Sequence, residues 1–173
     1  VTFGTSDPRT GELLYQLGQS QLKAGDYATA RKNFKLAWTT WQPVLEPNDP
    51  RFGKAMGSIG MTHYHEGGLD SAVFYNERSV EQLRLRGSND DPALVAALSN
   101  YAVMLADMDR MDRSLAQMNE ARVVAERIYG MDHPYTAQIW ANIASVLEEV
   151  EQPDSALVLY AMAKTSLERS LGA

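Results

Sequence analysis

The chain has 173 residues, 45% of them hydrophobic, and its 22 acidic against 16 basic residues leave a net charge of −6. That length and apolar content can bury one sizeable core, and the acidic excess argues against nucleic acid as a partner. Cysteine is absent, which excludes disulfides, thiolate metal sites and thiol nucleophiles, and no apolar run reaches the roughly 18 residues of a membrane span.

The opening Val1-Thr2-Phe3-Gly4-Thr5-Ser6 lacks the basic and apolar regions of a signal peptide, and a start at Val rather than Met leaves room for an upstream segment. Pro8, Pro50, Pro92 and Pro134 then recur at an interval of 42 residues. In the same register Leu17-Gly18, Ile59-Gly60, Tyr101-Ala102 and Ile143-Ala144 align, as do Ala30, Ala72, Ser114 and Ala156. A fixed period without insertions marks a stacked-repeat architecture.

The first copy predicts a helix over 8–24. Pro8 stands at the first helical position, where its missing N–H costs nothing, and Asp7 precedes it as the N-cap. Leu13, Leu14, Leu17 and Gly18 follow at helical spacing, the chain turns at Ala24-Gly25-Asp26, and a second helix over 27–44 carries Tyr27, Ala30, Phe34 and Ala37. Small residues at Gly18 and Ala30 let the two helices cross closely. The later copies predict helices over 50–66 and 69–86, 92–108 and 111–128, and 134–150 and 153–171. Asp49 and Asp91 repeat the role of Asp7, and His133 takes it in the fourth copy. One helix pair cannot bury its apolar stripe, so neighbours must stack. The expected fold is all-α: a right-handed α-solenoid of four helix-turn-helix repeats, about eight antiparallel helices with a concave and a convex face. The repeats span about 8–49, 50–91, 92–133 and 134–173 of a single domain over 1–173.

Little in the chain points to catalysis. His63 and His65 lie two apart on one helix, about 200° around its axis, and cannot chelate one metal. His133 is an N-cap. There is no Gly-rich phosphate loop or nucleophile elbow, so no catalytic residue, metal ligand or cofactor is assigned. Met56, Met104, Met111 and Met118 fall mainly at packing positions.

The pattern Leu14-x2-Leu17-Gly18-x6-Gly25-x-Tyr27-x2-Ala30-x3-Phe34-x2-Ala37 resembles the tetratricopeptide repeat. The usual unit has about 34 residues, and the longer one here is similar to the kinesin light chain type. Its repeat junction resembles Gly130-Met131-Asp132-His133-Pro134-Tyr135-Thr136-Ala137 and Leu167-Glu168-Arg169-Ser170-Leu171-Gly172. The resemblance covers 8–172. Departures are Gln21 and Asn76 where an aromatic is common, Ser114 for the small Ala, and Asp109 and Glu151 for the turn Gly.

The resemblance implies a groove lined by the first helix of each pair. Its ligand-facing stripe would hold Glu12, Tyr15, Gln16 and Gln19, then Lys54, Gly57, Ser58 and Met61, then Ala96, Ser99, Asn100 and Val103, and finally Gln138, Ala141, Asn142 and Ser145. The peptide-binding set is Gln16, Gln19, Lys54, Ser58, Met61, Asn100, Val103, Gln138, Asn142 and Ser145. Asn100 and Asn142 lead it, because an amide both donates and accepts and so reads an extended peptide backbone, each bond contributing about 1 kcal/mol. The alternative is that these amides stay solvated or tie neighbouring helices together. A clamp for a terminal carboxylate does not fit, since only Lys54, with Lys23 at the groove end, supplies positive charge. Phe34 and Trp140 occupy packing positions, and His63 is expected to be packed too. Trp38 and Trp41 are expected on the side that meets the second copy, while Tyr15, Tyr64 and His65 are expected towards the groove.

The implied function is a non-enzymatic scaffold binding a protein or peptide segment, with no nucleic acid or membrane partner. Two alternatives stay open: self-association through uncapped repeat ends, and a regulatory segment of a larger enzyme. The last helix still carries Leu157, Leu159, Tyr160, Met162 and Leu167. Such a face implies further repeats, a fused domain or self-association, and a longer array is the favoured reading. Charge runs from a slightly basic first copy, with Arg31, Lys32 and Lys35, to an acidic fourth with Glu148, Glu149 and Glu151. That polarity could orient a ligand, or these could simply be solvated faces.

Overall fold

The computed structural model describes residues 7–85, 87 and 90–172. The opening hexapeptide and the expected helix end at 86 lie outside the described residues. Among the described residues there are eight α-helices and no strand: α1 (Pro8–Lys23), α2 (Tyr27–Trp41), α3 (Pro50–His65), α4 (Leu69–Arg84), α5 (Pro92–Ala106), α6 (Met111–Tyr129), α7 (Pro134–Glu149) and α8 (Pro153–Ser170). They divide into two compact units, residues 1–87 and 88–173.

The first helix of every copy starts in one way. Asp7, Asp49 and Asp91 accept from the backbone N–H of Arg9, Arg51 and Ala93 at 2.8, 3.0 and 2.8 Å. His133 does the same through Nδ1, which accepts from Tyr135 N–H at 3.1 Å. Each cap is extended and is followed by proline in the first turn, so one orphan donor is satisfied and another never exists. Arg51 also closes back on its cap, with Nε and Nη2 at 2.8 and 2.7 Å from the Asp49 carboxylate.

Helix ends follow backbone chemistry rather than the apolar pattern. α2 stops at Trp41, three residues before the expected end, because Pro43 has no N–H to bond the preceding turn. Between the paired helices the turn needs a left-handed residue. Gly25 and Gly67 supply it at φ 81° and 80°, whereas Asp109 and Glu151 are forced to φ 58°. A side chain there costs about 1 kcal/mol relative to glycine. Asp109→Gly and Glu151→Gly are each expected to raise stability by about that amount in urea melts. A loss of stability on both changes would mean that the side chains, not the backbone, secure these turns.

In the first unit α1 and α2 form an antiparallel hairpin whose closeness depends on glycine. A Cβ on Gly18 would sit 2.6 Å from the Phe34 ring, and one on Gly11 would sit 2.3 Å from the Trp41 indole nitrogen. Phe34 and Trp41 are fully buried, and the Trp41 indole donates to the Pro8 carbonyl at 3.0 Å. Trp41 therefore fills its own hairpin while its cluster also reaches Phe52 and Ala55 of α3. It thus lies on the side that meets the second copy, as expected, and fills its own hairpin as well. Trp38 does meet that copy, edge-on to Phe52 at 6.1 Å. Arg31 of α2 pairs with Glu66 and reaches Thr62 of α3 at 3.5 Å. In the second hairpin buried Asn76 takes the position expected for an aromatic, and Gly60 makes room for its amide.

The second unit repeats the hairpin. Ser114, the departure from alanine, is fully buried because its hydroxyl donates to the Ala102 carbonyl at 2.7 Å. α6 and α7 are joined by the buried Trp140, whose indole donates to Glu126 at 2.9 Å, and by Thr136, which donates to the Gly130 carbonyl at 2.8 Å. Trp140 also packs with Ala137 and Ala163.

Candidate functional site

The stripe residues of the first unit are largely committed to one another. The Gln19 amide of α1 donates to the Tyr15 hydroxyl at 2.8 Å and to Ser58 Oγ of α3 at 2.9 Å, and Tyr15 Oη and Ser58 Oγ lie 3.2 Å apart. Ser58 is buried. Gln16 donates to Glu12 at 3.2 Å on the exposed side of α1. The bonds to Ser58 tie α1 to α3. Tyr15 is not a free groove aromatic: its ring centroid lies 5.4 Å from Phe34 and 5.9 Å from Trp41, and only its hydroxyl joins the stripe. Gly57 lies against α4, where an added Cβ would meet Ser79 Oγ at 3.0 Å. Of the remaining positions, Lys54 is exposed and Met61 is half-buried.

The histidines sort by stacking. His65 lies parallel to Tyr27 at 5.0 Å, so a ring expected at the groove end is held against the start of α2. His63 is packed as expected, parallel to Tyr75 at 5.5 Å. Burial first, then repulsion from Arg31 and Lys35, holds its imidazole below the usual range, with Glu66 opposing. The folded state thus disfavours the charged ring. Its contribution is complete above the unfolded-state value of about 6.5 and is lost as pH falls through the lower folded value. His63→Phe, which can keep the stack on Tyr75, should lose less thermal stability than the wild type between about pH 7 and about pH 5. Equal slopes would remove His63 from the acid response.

In the second unit the stripe is more open. Between α5 and α7, burial raises the pKa of the Tyr135 phenol, with a hydrogen bond to Ser99 opposing. Asn100 is half-buried, and its amide makes no hydrogen bond to any described residue. Its register partner Asn142 accepts from the Gln138 amide at 3.0 Å, which leaves the Asn142 N–H2 free to donate and the Gln138 carbonyl free to accept. Val103 is half-buried and Ser145 exposed. Sequence reasoning missed the bonds tying the first-unit stripe together, because a glutamine at a groove position reads the same whether solvated or bonded across helices. One missed pair has a visible signal: Asn33 donates to Gln21 at 2.7 Å, so the polar departure at Gln21 is matched by a polar neighbour on α2.

Among the described residues no cluster of three or more His, Asp or Glu could hold a metal ion. No helix among them is long and apolar enough to cross a membrane.

Residues 94–169 match the family model of the tetratricopeptide repeat. With that match in the second unit, the 42-residue register and the hairpins of both units give the chain the fold of tetratricopeptide repeats, similar to the kinesin light chain-like kind. Arrays of this kind serve as scaffolds for protein–protein interaction. Over 93 residues the chain is 32% identical to the methyl-accepting chemotaxis protein McpN of Pseudomonas aeruginosa, an alignment covering 53% of this chain and 16% of that protein. The kinesin light chain TPR-like repeats of Podosopora anserina superpose with a TM-score of 0.79 at 13% identity, over 91% of this chain and 74% of that one. The Rap conjugation gene regulator of plasmid pLS20, in complex with the Phr* peptide, superposes at 0.78 with 16% identity, over 96% of this chain and 44% of that one.

Proposed function

We propose that the chain is a non-catalytic scaffold that holds an extended segment of a partner protein along the face shared by α5 and α7. The observation that carries this reading is the half-buried Asn100 amide of α5 with no partner among the described residues, at the same register position as Asn142 of α7. A half-buried amide that lacks a partner gains most from a ligand carbonyl or N–H, and backbone groups offer both whatever the ligand's side chains. The peptide held by the Rap regulator supports the reading by likeness of fold. The other stripe positions of this unit enter with lesser roles: Val103 as apolar floor and Ser145 as a polar end. Gln16, Gln19 and Ser58 act by holding their helices in place.

Selection from a random peptide library, followed by titration of the enriched peptides, tests this. Asn100→Ala is expected to weaken binding by about tenfold, and Asn142→Ala by somewhat less because Gln138 remains. Unchanged affinity in both variants would end the assignment of this face.

Self-association is a second reading, favoured by Leu157 and Val158 of α8, which are 65% and 61% exposed. It requires a mass in sedimentation equilibrium that rises with concentration, and a constant monomer mass would dismiss it.

A further inference from the structure

Away from the α1 and α3 stripe, α2, α3 and α4 enclose a cleft of about 320 Å³ lined by Lys35, Trp38, Thr39, Met56, Ile59 and Tyr75. Ile59 is buried, Trp38, Met56 and Tyr75 are half-buried, and Lys35 and Thr39 are exposed, so the cleft runs inward from a mouth on α2 to a floor on α3. Two walls are braced from behind by other rings. Tyr75 lies parallel to His63 at 5.5 Å, and Trp38 stands edge-on to Phe52 at 6.1 Å.

The three tryptophans of the chain differ in the fate of their indole N–H. Trp41 donates to the Pro8 carbonyl and Trp140 to Glu126, at 3.0 and 2.9 Å. Trp38 Nε1 is shielded from water and has no acceptor among the described residues. A buried donor without a partner is uncommon, and it favours an acceptor brought to it. Lys35 adds a second donor at the mouth, an ammonium without an ion pair to any described residue. Thr39 spends its hydroxyl hydrogen on the Leu36 carbonyl at 3.0 Å. An apolar wall is thus combined with two donors that lack an acceptor.

Volume and polarity narrow the occupant. An apolar cavity of about 150 Å³ takes benzene, so about twice that volume takes a body of about eight to ten carbons. A peptide would bring backbone N–H groups that an apolar wall leaves unpaired, and a phosphate would bring more charge than one ammonium balances. A lipid surface needs apolar groups that project, whereas these are recessed. We propose that this cleft binds a free medium-chain monocarboxylate, its chain lying among Met56, Ile59 and Tyr75 and its head held by Lys35 Nζ and the Trp38 N–H, which the half-buried indole presents by turning towards the mouth. Burial of the chain supplies most of the affinity, and the two donors select a carboxylate over a neutral head. The site lies in the first unit and shares no residue with the α5 and α7 face, so it stands whether or not that face holds a partner segment.

The test titrates octanoate, octanamide and butyrate into isotope-labelled protein and follows the indole N–H resonances, that of Trp38 being assigned through Trp38→Phe. Octanoate is expected to bind saturably and to move the Trp38 resonance downfield, while those of Trp41 and Trp140, already hydrogen-bonded, stay in place. Butyrate should bind at least about tenfold more weakly, because its shorter chain buries less apolar surface. Lys35→Gln, at an exposed helix position, should weaken octanoate about fivefold and leave octanamide unchanged. The proposal is overturned if octanoate leaves the Trp38 resonance in place, if butyrate matches octanoate, or if Lys35→Gln binds octanoate as tightly as the wild type.

Discussion

Trp41→Ala is expected to destabilise the first unit by about 3–5 kcal/mol. The indole is fully buried, contacts the Tyr15 ring at 5.9 Å and closes on the Pro8 carbonyl through its N–H. It also reaches Phe52 and Ala55, so one truncation loosens the α1/α2 hairpin and its contact with α3 together. Gly11 offers no side chain to fill the void, because the helix approaches closely there. A denaturant titration followed by far-ultraviolet circular dichroism reads the effect. A loss below about 1 kcal/mol would mean that the surroundings collapse into the cavity without cost.

The second large effect contrasts two glycines on one helix. In α3, Gly57→Ala and Gly60→Ala each gain about 1 kcal/mol of helix propensity. At Gly57 the new Cβ meets at 3.0 Å the Ser79 hydroxyl, which donates to the Gly53 carbonyl at 2.7 Å and needs to give by only a few tenths of an ångström. At Gly60 it meets the Asn76 amide at 2.1 Å and the Ala72 carbonyl at 3.1 Å. Asn76 is fully buried and donates to that same carbonyl at 3.0 Å, so neither can yield cheaply. Gly60→Ala should therefore lose about 1–3 kcal/mol, whereas Gly57→Ala should stay within about 1 kcal/mol of the wild type. Thermal midpoints of the two variants measured side by side provide the check. Equal midpoints would contradict the close approach of α3 and α4.

These two cases show where the sequence was readable. The Asp-Pro and His-Pro junctions announced four helix starts, since both residues act within their own turn and need no tertiary knowledge. The small residue at Gly18 was readable for the same reason that Gly60 was, by its place in the repeat. What was not readable depends on distances between helices. Whether Gln19 meets solvent or Ser58 is decided by how closely α1 approaches α3, and nothing in the spacing of either helix records that. That Trp41 also fills its own hairpin depends on how closely Gly11 approaches the indole, a distance the spacing does not record. Asp109 and Glu151 were legible as departures, and their φ of 58° shows that the turn geometry overrides the residue placed in it. The cleft beside Lys35 combines side chains from three helices at unrelated register positions, so no periodicity could have disclosed it.

The claim that Asn100 reads a ligand's backbone is tested most directly by amide-to-ester scanning of a selected peptide, titrated against wild type and Asn100→Ala. An ester removes one backbone N–H and weakens the neighbouring carbonyl acceptor without altering any side chain. The account predicts one ester position that weakens wild-type binding by about tenfold yet costs the Asn100→Ala protein little more, so that the two losses are not additive. Losses that add at every position would show that the amide and the peptide backbone never meet.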